Sequence, residues 1–92
     1  MKIRLTKEEF DYTVSAEFIP ESFRKEMVDG VQKHFRDGEG RESVIVEVTE
    51  DIADEIRSLC EDQLNVAGFD VNYALNSEGK TLDSLIDKLF IG

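Results

Sequence analysis

Phe10-Asp11-Tyr12-Thr13-Val14-Ser15-Ala16-Glu17-Phe18 is the stretch whose conformation decides the fold. Apolar and polar residues alternate over all nine positions, with Phe10, Tyr12, Val14, Ala16 and Phe18 on one side. Period two among aromatic and β-branched residues predicts a half-buried strand. The four residues before it, Thr6-Lys7-Glu8-Glu9, point the other way, because Thr and Glu three apart have the spacing of a capping box that opens a helix. A helix would scatter the five apolar side chains around its circumference. We therefore read a turn at 6–9 between two antiparallel strands, the first carrying Ile3 and Leu5 alternating with Lys2, Arg4 and Thr6.

Downstream of this stretch, Pro20 suits a first helical turn, where its missing N–H is not needed. Phe23, Met27, Val28, Val31 and Phe35 recur at helical spacing, which predicts an amphipathic helix running through Arg36. Asp37-Gly38-Glu39-Gly40 ends it in a tight loop, and the β-branched run Val44–Val48 reads as the most buried strand. Thr49 caps a second helix with Glu50 and Asp51 against its dipole and an apolar stripe of Ile52, Ile56, Leu59, Cys60 and Leu64. Gly68 closes that helix, residues 69–76 form a loop, and Asn76 or Ser77 caps a last helix whose apolar face is Leu82, Leu85, Ile86, Leu89 and Phe90. The expected architecture is α+β in the order β-β-α-β-α-α. It comprises a small mixed three-stranded sheet with helices packed on it and a right-handed crossover between the second and third strands.

Ninety-two residues suffice for one domain with a single core, and eight aromatic residues with regular apolar periodicity argue against disorder. No segment approaches the roughly 20 apolar residues that span a bilayer, and the N-terminus has no signal-like apolar run. Cys60, the single cysteine, has no internal disulfide partner, which agrees with a reducing compartment. The expected location is the cytoplasm.

Charge is distributed unevenly along the chain. Residues 1–41 hold eight Lys/Arg against nine Asp/Glu, a net of -1, whereas residues 42–92 hold three against twelve, a net of -9, which together make the -10 of the whole chain. On the second helix Asp51, Asp54, Glu55, Ser58 and Asp62 fall on one outward strip with Glu61 beside it, because spacings of three and four return to the same side. Like charges so placed destabilise an isolated helix, so the strip is either a binding face or a solvated one kept for solubility. A field of this sign attracts a basic protein and repels nucleic acid and anionic membranes.

One histidine and one cysteine offer little for catalysis. Cys60 lies on an apolar stripe, where a thiol behaves as a small hydrophobe, and His34 reads as a surface residue near a helix C-terminus. Asp70-Val71-Asn72 begins like a calcium loop, but Leu75 stands where glycine is required and Thr81 where glutamate is required. No catalytic residue, metal or cofactor is expected. The expected function is a non-enzymatic module that binds a basic protein through Asp51, Asp54, Glu55, Glu61 and Asp62. Tyr73 serves as an anchor, and Phe69 and Tyr12 are further candidates. Alternatives are a nucleic-acid mimic, whose carboxylates imitate phosphates in a DNA-binding enzyme, and a homo-oligomeric structural protein.

The segment from Gly68 to Leu89, in which Gly68-Phe69-Asp70, Tyr73, Leu75, Gly79-Lys80, Leu82 and Leu85-Ile86-Asp87-Lys88-Leu89 form the pattern, resembles a tail of small acidic bacterial proteins. Some of these look like immunity partners of secreted polymorphic toxins. The resemblance covers under a quarter of the chain and implies a protein that occludes a toxin domain, often a basic nuclease. It transfers no binding residue, because immunity proteins vary most where they bind.

Overall fold

At Thr6 the chain passes from its first strand into a helix without a turn. The computed structural model, which describes residues 1–90, places β1 at Lys2–Thr6 and α1 at Lys7–Ser15. Thr6 Oγ1 accepts the Glu9 amide at 3.1 Å and Glu9 Oε1 accepts the Thr6 amide at 2.8 Å, a complete capping box. The strand expected over 10–18 is therefore a helix over most of its length. The objection from scattered apolar residues fails because α1 touches α2, β1 and β3. Phe10, Tyr12, Val14 and Phe18 each find partial cover against the core, and Ala16 is buried.

The long helix expected through Arg36 is also shorter. Helix α2 spans Glu21–Asp29 and stops at Gly30, whose amide donates to the Glu26 carbonyl at 2.9 Å. A Cβ at position 30 would collide with the Glu47 carbonyl oxygen, and the Gly30 carbonyl accepts the Glu47 amide at 2.7 Å, so the chain here lies against the sheet. Strand β2, Val31–Arg36, begins immediately afterwards. The hairpin through Asp37 is held by the Asp37 side chain, which accepts the amides of Glu39 and Arg41 at 2.8 and 3.0 Å. It leads into β3, Glu42–Glu47.

The architecture is α+β, a three-stranded sheet with helices on one face, in the order β1 α1 α2 β2 β3 α3 α4. Strand β3 is central, in the order β1-β3-β2, and both pairings are antiparallel rather than mixed. The expected crossover joins β1 to β2 through α1 and α2, and the second and third strands meet in a hairpin instead. Ile3 and Leu5 of β1 lie opposite Val46 and Val44 of β3, and these four side chains form the sheet's contribution to the core.

Helix α3 spans Glu50–Ala67 and α4 spans Ser77–Leu89, packed against each other. Ala53, Ile56 and Cys60 meet Leu82, Leu85 and Leu89 in the core, joined by Ile19 and Met27. Each of these long aliphatic side chains contributes about 1.5–3 kcal/mol through burial. Phe90, expected on the apolar face of the last helix, is the C-cap of α4 and is exposed. Among the described residues no helix is long and apolar enough to cross a membrane.

Candidate functional site

Thr49 starts α3 by accepting the Ile52 amide on its hydroxyl at 3.2 Å. Because Ala53, Ile56 and Cys60 face inward, the helical period turns Asp51, Asp54, Glu55, Glu61 and Asp62 outward, and all five are exposed. The structure divides these carboxylates into two groups. Arg57 reaches Asp54 at 2.7 Å and Glu61 at 2.9 Å, three residues before and four residues after it. Asp51, Glu55 and Asp62 have no cationic partner among the described residues. Their spacings of four and seven keep them on one line, about 16 Å long. Val66 continues that line four residues beyond Asp62 and is exposed.

The line leads into the loop after Gly68, the C-cap of α3. Phe69 and Leu75 pair as an isolated antiparallel bridge, and the Asp70 side chain accepts the amides of Asn72 and Ala74 at 2.8 and 3.1 Å. The carboxylate that begins like a metal ligand is thus engaged in shaping the turn. Asn76 anchors the loop base: its amide donates to the Gly68 carbonyl at 3.0 Å and its side-chain NH₂ to the Ala67 carbonyl at 2.8 Å. Its side-chain oxygen accepts the Gly79 amide at 2.7 Å and so caps α4. A Cβ at Gly79 would collide with the Gly68 carbonyl, so this glycine lets the two helix ends close together.

A base held this firmly supports an apolar tip. Val71 is 93% exposed and Tyr73 89% exposed, and Tyr73 has a φ of +62°, the left-handed conformation that costs a non-glycine residue about 1–2 kcal/mol. Phe69, beside them, is also exposed. The left-handed backbone at Tyr73 thus holds its ring away from the rest of the chain and in solvent. Val66 and Val71 were not among the sequence candidates. The available signal was apolar residues set in an otherwise polar turn.

Tyr12 is not an exposed anchor. It is half-buried, its hydroxyl donates to Glu78 at 2.5 Å, and burial first and the Glu78 carboxylate second push its pKa up. The shallow cleft of about 410 Å³ beside it is lined by Phe18, Gln63 and Glu78 among others, and within it the Tyr12 hydroxyl and the Glu78 carboxylate are engaged with each other. Cys60 is fully buried, and burial pushes its thiol up to about 12. His34 lies on β2 rather than on a helix, exposed, with Nε2 3.8 Å from Glu42. Among the described residues no group of three or more His, Cys, Asp or Glu side chains is placed to hold a metal ion. No protein-family model, curated protein or solved structure matches the chain.

Proposed function

We propose that this chain is a non-enzymatic protein-binding module that captures a basic protein surface on α3 and the adjoining loop, in the manner of an immunity protein occluding a cationic toxin domain. One observation carries the reading: three unpaired carboxylates and Val66 run along α3 to a strained loop that holds Val71 and Tyr73 almost wholly in solvent. Unpaired carboxylates steer a basic partner from a distance. Apolar side chains on a stiff backbone then bind with little loss of conformational freedom. Asp54 and Glu61 share Arg57, whose single positive charge offsets one of their two, so each contributes less to steering than Asp51, Glu55 or Asp62.

The test is affinity capture from the source cell, followed by association kinetics with the captured protein. Glu55→Lys with Asp62→Lys should slow association by about tenfold or more and flatten its dependence on salt, while the melting temperature stays nearly unchanged. Tyr73→Ala should raise the dissociation rate. Association rates unchanged by the double reversal would refute the proposal.

A further inference from the structure

The face of the sheet turned away from the core carries charge opposite to that of α3. Val44 and Val46 enter the core, so the pleat turns Ser43, Ile45 and Glu47 to the other side. Register sets Arg4 and Lys33 opposite Ile45 and Phe35 opposite Ser43. Phe35 and Ile45 are half-buried yet take no part in the core. Cations stand over the Phe35 ring: the Arg4 guanidinium lies 4.9 Å from its centroid and the Lys33 ammonium 5.4 Å.

Lys2, Arg4 and Lys33 are exposed, and none has an ion-pair partner among the described residues. The chain carries 21 Asp/Glu for 11 Lys/Arg, so carboxylates are abundant enough to pair with every cation. This face also holds one carboxylate, Glu47, opposite Lys2 in register though not ion-paired with it. Three cations against one anion leave the face net positive, with two of the cations against an aromatic ring, and suited to an anionic ligand.

We propose that this face docks the carboxylate strip of α3 from a second copy of the chain, head to tail. The complement is present in the same molecule as Asp51, Glu55 and Asp62. On the sheet, Lys2 to Arg4 is a step of about 7 Å along β1, and Arg4 to Lys33 a step of about 10 Å across two strand spacings. On the helix, Asp51 to Glu55 and Glu55 to Asp62 are steps of about 6 and 10 Å. The sheet steps run at right angles and span about 12 Å end to end against about 16 Å along the helix, a difference within the reach of the long lysine and arginine side chains. Single-stranded nucleic acid is the less suitable occupant, because both cations already cover the one aromatic ring on which a base would stack. The net charge of -10 repels a polyanion and a second copy alike, so the docking rests on local complementarity at short range.

The contact is heterologous, so each added copy presents a fresh surface and the assembly grows as an open chain. It is formed by exposed charges and is therefore weak and sensitive to salt. If the binding role proposed above holds, self-association and partner capture compete for one strip. The docking itself does not depend on that role.

Sedimentation velocity over a range of concentrations tests it. At about 50 mM salt the mean mass should rise with concentration, and at about 300 mM it should return to that of a monomer. Arg4→Gln with Lys33→Gln removes one surface, and Glu55→Gln with Asp62→Asn removes the other, so each double variant alone should associate at least about tenfold more weakly. Mixed in equal amounts they retain one intact surface of each kind, and should form dimers and stop there. Circular dichroism melts establish that both variants fold, and Arg4→Lys with Lys33→Arg, which keeps the charge, should restore association if they do. Four results overturn the docking: a wild-type chain that stays monomeric, a variant that associates like wild type, a mixture that stays monomeric when wild type does not, or a labelled oligothymidine captured by the sheet face in preference. Capture of a basic partner should survive Arg4→Gln with Lys33→Gln, so failure of the docking is distinguishable from failure of the binding role.

Discussion

Lys88 Nζ lies 2.6 Å from Glu9 Oε1, joining two residues 79 positions apart and fastening the last helix to the first turn of α1. The other oxygen of Glu9 accepts the Ser84 hydroxyl, and Oε1 also accepts the Thr6 amide at 2.8 Å. Glu9 is 5% exposed, so its charge is buried only because each of its oxygens is engaged. The residue that completes the helix cap is thus also the residue that docks α4.

Removing the Glu9 carboxylate breaks the cap and the tie together. Glu9→Ala should lower unfolding stability by about 2–4 kcal/mol, because it removes at once the acceptor of the Thr6 amide, of the Ser84 hydroxyl and of the half-buried Lys88 ammonium. Thr6→Ala, which loses only the hydroxyl side of the box, should lose about 1 kcal/mol. Urea unfolding measures both, and equal losses would show that the tie to α4 adds nothing to the cap.

Acid should weaken the same network. Burial pushes the Glu9 carboxyl up, but hydrogen bonds from Lys88, Ser84 and the Thr6 amide outweigh it and hold the group below its ordinary value of 4.5. A depressed folded pKa means that the contribution is complete above the unfolded value and is lost as pH falls through the lower, folded one. Asp37 and Glu42 are depressed as well, so the comparison with Glu9→Gln isolates this residue. The gap in stability between wild type and Glu9→Gln should close as pH falls below about 4.5. A gap that stays constant from pH 7 to pH 3 contradicts the assignment.

Gly30 should not tolerate a side chain. Gly30→Ala drives a methyl group into the Glu47 carbonyl oxygen at the junction of α2 and β2, and should destabilise the fold by about 1–3 kcal/mol. Gly38→Ala, where a Cβ meets nothing, is the control and should change stability by less than about 0.5 kcal/mol.

Strain at Tyr73 predicts that stability and binding separate. Tyr73→Gly relieves the left-handed backbone and removes a side chain that packs against little, so the melting temperature should hold or rise while partner capture weakens. A marked drop in melting temperature would show the ring to be a packing residue.

Cys60 should be inert in the folded protein. A fully buried thiol whose pKa is pushed up to about 12 presents almost no thiolate at pH 8. Its reaction with a disulfide reagent should proceed only as fast as the chain opens, and should accelerate sharply in denaturant. Rapid labelling of the native protein would contradict this.

Helices α3 and α4 were legible in the sequence because their signals are local: Thr49 and Asn76 cap, Gly68 stops, and the apolar stripes recur over 18 and 13 residues. The outward acidic strip followed from the same period. The segment from Thr6 to Phe18 carried two local signals of opposite meaning, a capping box and a strict alternation. Tertiary contact decided between them, since Glu9 gains Ser84 and Lys88 from a helix more than 70 residues away and the sides of α1 are covered by three elements. Gly30 likewise ends α2 through its approach to Glu47, a partner distant in sequence. The pairing of Arg57 with Asp54 and Glu61 lay within reach of the sequence, because it uses helical spacing alone. The exposed, strained Tyr73 and the basic sheet face did not, because both depend on which side of a backbone the rest of the chain leaves uncovered. Periodicity and caps are properties of neighbours along the chain, whereas cover, register and long-range partners exist only once the chain has folded.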